Sequence, residues 1–126
     1  MTESKKSFRL LYVEDDAVLR DILGEEFADH GVEVFKAGGA LEALKILKET
    51  PIDAVVTDMK MPDIDGVGLK KLADAEVLPA PKVWVALTAY SDRPVADLEA
   101  GGFEEVFFKP FNTKMIVHFC RTRLAL

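Results

Sequence analysis

The chain has 126 residues, with 16 Lys or Arg against 22 Asp or Glu, giving a formal net charge of -6. That length suits one domain, because a chain of this size buries roughly two-thirds of its unfolded surface around a single core. A hydrophobic fraction of 49% excludes a disordered chain, and the acidic balance argues against a nucleic-acid-binding surface, which needs a basic face.

Further classes fall away quickly. A lone cysteine, Cys120, cannot form an internal disulfide, as expected in a reducing compartment. No apolar run approaches the ~18 residues of a membrane span. Residues 1–7 are polar and lack the apolar core of a signal peptide. These features predict a cytoplasmic protein with a short polar leader at 1–7 and one domain at 8–126.

Short apolar runs alternate with amphipathic stretches five times. Phe8 to Val13 is the first strand, followed by a helix with Leu19, Leu23 and Phe27 four apart and Val18 and Ile22 beside them. His30-Gly31 closes that helix, since glycine accepts the left-handed conformation after a helix end. Val32 to Phe35 is a weaker strand. Ala40 to Lys48 repeats the helical spacing through Leu41, Leu44 and Leu47, and Pro51 prevents its continuation.

The third strand is Ala54 to Thr57, ending at Asp58. The loop Met61-Pro62-Asp63-Ile64-Asp65-Gly66 leads into a helix near Val67 to Asp74. Val83 to Leu87 is the fourth strand; Ser91 or Asp92 caps the next helix, Pro94 lies in its first turn, and Gly101-Gly102 ends it. Val106 to Phe108 is the fifth strand, and a last helix starts at Asn112 or Thr113, carrying Met115, Ile116 and Phe119. Strands apolar on both faces imply a parallel sheet covered by helices on each side.

Ligands of such sheets bind outside the carboxyl ends of the strands. Those ends are polar here: Glu14-Asp15-Asp16 after the first strand, Asp58 at the third, Thr88 at the fourth and Lys109 at the fifth. Singly, each has an ordinary structural explanation, such as a helix cap, a turn or a solvated charge. Together they place three carboxylates beside a hydroxyl and an ammonium. Mutually repelling carboxylates favour a hard divalent cation, and Mg²⁺ suits oxygen ligands combined with water and phosphate. Glu14, Asp15 and Asp58 contribute three negative charges, which Mg²⁺ and Lys109 would neutralise. A phosphoryl group arriving there would find a metal, an ammonium and a hydroxyl, and a carboxylate able to accept it.

The segments Leu11-Tyr12-Val13-Glu14-Asp15-Asp16, Thr57-Asp58-Met59-Lys60-Met61-Pro62, Asp65-Gly66, Leu87-Thr88-Ala89 and Phe108-Lys109-Pro110-Phe111 resemble the receiver domain of two-component response regulators, of the chemotaxis-regulator type. The resemblance runs from about Phe8 to the C-terminus. It implies a flavodoxin-like doubly wound α/β fold, with five parallel strands in the order 2-1-3-4-5 and five helices. It also implies a signalling domain rather than an enzyme, which catalyses its own phosphorylation and dephosphorylation.

By this resemblance Asp58 is the phosphoacceptor, receiving its phosphoryl group from a phosphohistidine on a sensor histidine kinase or phosphotransfer protein. Asp15 and Asp58 bind Mg²⁺ through carboxylates, Lys60 through its backbone carbonyl, and Glu14 directly or through water. Thr88 and Lys109 contact phosphoryl oxygens, and Lys109-Pro110 resembles the family's cis peptide. Lys60 and Tyr90, two residues beyond Asp58 and Thr88, are expected to modulate hydrolysis of the acyl phosphate. The family signals through the surface of helix four, strand five and helix five to a downstream protein or an output domain.

Two departures stand out. Val106 replaces the aromatic residue usual three positions before Lys109, leaving Phe107, Phe108 or Tyr90 as candidate substitutes. Glu14 replaces the more usual Asp. Two other readings compete: a degenerate receiver acting as a phosphorylation-independent interaction module, and an aspartate-based phosphatase. The phosphatase's D-x-D arrangement is not reproduced by Glu14-x-Asp16, and no cap insertion is evident. The chain ends in or just after the last helix, consistent with a stand-alone regulator or with part of a longer protein. His30, His118 and Cys120 show no functional spacing.

Overall fold

A computed structural model describes residues 7–89 and 95–126. The expected roles of Ser91 or Asp92 as a cap, of Pro94 and of Tyr90 fall outside the described residues, as does nearly all of the polar leader. The elements alternate as β1 (Arg9–Val13), α1 (Ala17–Asp29), β2 (Glu33–Ala37), α2 (Ala40–Glu49), β3 (Ala54–Asp58), α3 (Gly66–Glu76), β4 (Val83–Thr88), α4 (Val95–Ala100), β5 (Glu105–Phe108) and α5 (Thr113–Leu124). All strand pairings are parallel, and the sheet order is β2-β1-β3-β4-β5.

Burial of the strands matches this order. β3 and β4 are buried at every position and lie inside the sheet; β2 is partly exposed and forms an edge. Alternate side chains feed two cores. Leu11, Val13, Val55, Trp84 and Ala86 face α2, α3 and α4, meeting Leu44, Leu47, Leu69, Ala73 and Leu98. Leu10, Tyr12, Val56, Val83, Val85 and Leu87 face α1 and α5, meeting Phe27, Ile116, Val117 and Cys120. Among the described residues no helix is long and apolar enough to cross a membrane.

The helices form where their periodicity indicates, but some apolar residues point outward. On α1, Val18 is 70% and Ile22 54% exposed, while Gly24 and Phe27 take the inner face. On α2, Leu41 is exposed and Ala40, Ala43, Leu44 and Leu47 are buried. Gly24 faces the Lys36 side chain of β2, where an added Cβ would lie 2.7 Å from Lys36 Cδ, and Ala43 is fully buried on α2.

The ends of α1 follow local chemistry. Asp16 caps its start by accepting the Leu19 amide at 3.0 Å. His30 and Gly31 close it, with Gly31 at φ 84°, the left-handed region where glycine is favoured.

Candidate functional site

Because all five strands run the same way, their carboxyl ends share one edge. β1 delivers Glu14 and Asp15 just past its last residue; β3 and β4 end on Asp58 and Thr88; β5 is followed by Lys109. The backbone ladder continues into this edge, with Glu14 N donating to Ala37 O (3.0 Å), Met59 N to Leu87 O (3.2 Å) and Lys109 N to Thr88 O (3.0 Å). The backbone at Glu14, just after Asp58 and at Lys109 is therefore hydrogen-bonded to the neighbouring strands.

One carboxylate oxygen from each of Glu14, Asp15 and Asp58 lies within 4.8 Å of the other two. Glu14 and Asp58 are buried, 3% and 5% exposed, whereas Asp15 is exposed. Lys109 Nζ lies 2.9 Å from Asp58 Oδ1. That same oxygen accepts the Met59 amide at 2.8 Å.

Burial drives the Glu14 carboxyl upward from its ordinary pKa, the Asp16 amide opposes this, Asp58 adds to it and Lys109 opposes it. The balance remains upward, as expected where negative charge exceeds the single ion-paired ammonium. Tyr12 lies beneath, its hydroxyl 3.5 Å from Glu14 Oε1, at the outer limit of a hydrogen bond. Its phenol is also raised, first by burial and then by Glu14 and Asp58. Two buried carboxylates and one exposed one, all oxygen donors around a common point, fit a hard divalent cation.

The other predicted residues are nearby. Thr88 is fully buried, and its hydroxyl donates to Ala89 O at 3.1 Å. Lys60 is exposed, two residues beyond Asp58. Lys109–Pro110 is cis. Beside Lys109, an apolar groove of about 220 Å³ is lined by Leu19, Leu23, Pro110 and Phe111.

Beside Val106 the two phenylalanines of β5 are not equivalent. Phe107 packs in the α1/α5 core, its ring 6.3 Å from that of Phe119. Val106 packs with the opposite core, and Phe108 stands directly across from Thr88 in the β4–β5 register. Phe107 is thus committed to packing under α5; Tyr90 lies outside the described residues.

Sequence reasoning missed two participants. Arg20 donates from Nη1 to Glu14 O at 2.8 Å, and Asp63 reaches from the β3–α3 loop to α2. Neither has a local signature, because each acts on backbone atoms of another segment. His30 is also structural: Nε2 lies 3.2 Å from Thr113 Oγ1, which donates to Glu26, and its carbonyl accepts from Arg121.

A parallel sheet in this order, carrying acids after β1 and β3 and a lysine after β5, is the architecture of a flavodoxin-like signalling domain. The chain belongs to the response regulator receiver domain family, whose family model matches residues 10–121. A "probable transcriptional regulatory protein" of Picosynechococcus is 29% identical over 92% of this chain and 49% of its own length. An uncharacterized 14.6 kDa protein of Leptolyngbya boryana is 37% identical, over 80% of this chain and 78% of its own. The chain thus spans about half the length of the first of these relatives. In structure it is similar to the response regulator TrrA of Thermotoga maritima in complex with Mg²⁺-BeF, with a TM-score of 0.78, 29% identity, and coverage of 92% of this chain and 98% of that one. It is a receiver domain of the two-component phosphorelay class, a signalling domain rather than a conventional enzyme.

Proposed function

We propose that this domain accepts a phosphoryl group on Asp58 in a Mg²⁺-dependent reaction. The observation that carries the reading is the convergence of the Glu14, Asp15 and Asp58 carboxylates within 4.8 Å, with Lys109 Nζ against Asp58. The complex of the relative TrrA with Mg²⁺-BeF supports the same chemistry.

Glu14, Asp15, Asp58 and the Lys60 carbonyl would hold Mg²⁺, which when bound supplies charge neutralisation for an incoming phosphoryl group. An Asp58 oxygen attacks phosphorus as the P–N bond to a donor phosphohistidine breaks. The imidazole departs with the bonding electron pair and takes up a proton. Lys109 then transfers its charge-assisted hydrogen bond to a phosphoryl oxygen, and Thr88 turns its hydroxyl from Ala89 O to another. These contacts exist only in the modified state, so they bias the loops after β3 and β4 and the surface of α4, β5 and α5. Water later hydrolyses the acyl phosphate at a rate tuned by Lys60 and Tyr90.

The donor is a sensor histidine kinase or phosphotransfer protein, and the readout is a downstream protein or an output domain. A cytoplasmic receiver unit over residues 8–126 belongs to the same reading. Incubation with Mg²⁺ and a small phosphodonor, followed by intact mass measurement, tests it. One added phosphoryl group, absent from Asp58→Asn, is the expected result. Equal labelling of both proteins would remove Asp58 as acceptor, and no labelling with a competent donor would favour a phosphorylation-independent interaction module.

A further inference from the structure

The β3–α3 loop, residues 59–65, is fastened at its base and at its tip. At the base Gly66 N donates to Met59 O at 3.0 Å. At the tip Asp63, itself exposed, extends its carboxylate to the start of α2: Oδ1 accepts the Ala40 amide at 3.2 Å and Oδ2 the Leu41 amide at 3.0 Å. Those amides belong to the first turn, where a helix has no internal acceptors. Gly39, at the N-cap of α2, has no side chain to supply one. A Cβ on Gly39 would stand 3.1 and 3.2 Å from the Asp63 oxygens, so the cap is delivered through space into a position kept bare.

The turn before α2 also borders the other side of the acidic cluster. Ala37 O accepts the Glu14 amide at 3.0 Å, and Gly38 lies against Arg20, whose Nη1 donates to Glu14 O. The end of β2 and the turn after it therefore contact both acidic segments, Glu14 through the Ala37 carbonyl and the Asp58 loop through Asp63.

We propose that Asp63 is a positioning residue for the divalent cation: by capping α2 it holds loop 59–65 in the conformation that keeps the Asp58 carboxylate and the Lys60 carbonyl at cation-binding spacing. The inference rests on the reading that Glu14, Asp15, Asp58 and Lys60 hold Mg²⁺. Fixing the loop in advance removes an ordering cost that cation binding would otherwise carry. By linkage, the cation must strengthen the cap as much as the cap strengthens cation binding.

The test compares wild type, Asp63→Ala, Asp63→Asn and the double variant Asp63→Ala with Gly39→Ser. Two quantities are read by NMR in the full chain: the Mg²⁺ Kd, and amide hydrogen exchange at Ala40 and Leu41 with and without Mg²⁺. Asp63→Ala should weaken Mg²⁺ binding at least about fivefold, the low end of ordinary coupling, and accelerate exchange at both amides. Asp63→Asn, which keeps one acceptor oxygen and is the milder change if the alanine variant folds poorly, should fall between them. In wild type Mg²⁺ should slow exchange at both amides; in Asp63→Ala it should not.

The double variant separates anchoring from mere helix stability. The hydroxyl introduced by Gly39→Ser restores a local cap to α2, and thus protection of Leu41, without refastening the loop. The Mg²⁺ Kd of this variant should stay weak. An unchanged Kd in Asp63→Ala, or recovery of affinity in the double variant, would overturn the positioning role while leaving the metal site intact. A wild-type protein that binds no Mg²⁺ at all would overturn the metal reading itself, and the positioning role with it.

Discussion

Lys109 Nζ and Asp58 Oδ1 form an ion pair at 2.9 Å between a side chain that is 34% exposed and one that is 7% exposed. The carboxylate is nearly sealed from water while the ammonium is not, so Asp58 depends on Lys109 more than Lys109 depends on Asp58. Lys109 and the Met59 amide both bind Oδ1, so neither holds Oδ2.

Replacing Lys109 with Ala should therefore have opposite effects on stability and on cation binding. Without Mg²⁺ the variant should lose about 1–2 kcal/mol in chemical denaturation, the exposed ammonium limiting the loss. Its Mg²⁺ affinity should be retained or rise several-fold, because the ammonium no longer opposes the cation. Labelling of Asp58 followed by intact mass should slow about tenfold or more, since a charge-assisted donor is missing.

Glu14→Gln changes the same balance from the other side. Glu14 is buried beside Asp58 and Asp15, and the substitution removes its charge while keeping the shape of the site. The variant should bind Mg²⁺ about tenfold more weakly in a titration. In EDTA it should melt about 4 °C higher than wild type, the shift expected for relieving ~1 kcal/mol of repulsion in a domain of this size. A lower melting temperature in EDTA would mean that Glu14 stabilises the fold by other contacts.

Gly66 opens α3 directly beneath the Asp58 backbone. A Cβ there would lie 2.8 Å from Asp58 O and 2.3 Å from Met59 Cε. The methionine tip can move, but the carbonyl is part of β3. Gly66→Ala should cost about 1–3 kcal/mol, as overpacking commonly does, and should weaken Mg²⁺ binding by displacing the β3 end. Gly101→Ala, where the nearest atoms are at ordinary distances of 3.4 and 3.5 Å, should change stability little. Equal losses in both variants would indicate a general intolerance of side chains at loop junctions.

Cys120 is fully buried against the α1/α5 face, and burial followed by the charge of Glu104 pushes its thiol from 9.0 up to about 12. The folded form thus keeps its proton where the unfolded chain has lost it. This contribution to stability is complete below pH 9 and is lost as pH rises through about 12. Unfolding free energy should fall with pH across that window by up to ~1.4 kcal/mol per unit for this one proton, a slope that Cys120→Ala should reduce. Alkylation at pH 8 should likewise be slow until denaturant is added.

Much of the architecture could be read directly from residue order. Apolar runs such as Val83 to Leu87, bounded by turn residues, become buried strands, and His30-Gly31 ends α1 because the left-handed position favours glycine. The candidate site was legible for the same reason: Glu14, Asp15, Asp58, Thr88 and Lys109 each follow or end an apolar run, and parallel strands bring such ends together. The orientation of the helices was less legible. Periodicity marks an apolar stripe on α1, but Phe27 meets Tyr12 with ring centroids 5.2 Å apart while Val18 and Ile22 remain outside. Which part of a wide stripe faces inward depends on the shape of the opposing sheet.

The amino-acid order alone determined the strand–helix alternation, the chemistry at each strand end and the absence of a ring at Val106, because these depend on neighbours within a few residues. Only the tertiary structure decided that Lys109 would meet Asp58, 51 positions away, that Phe107 would be committed to α5, and that Asp63 would cap a helix lying 22 positions earlier in the chain. The reason is geometric. Local propensity is set by backbone sterics and side-chain period, whereas a contact between distant segments depends on how two independently formed elements are placed by the packed sheet between them.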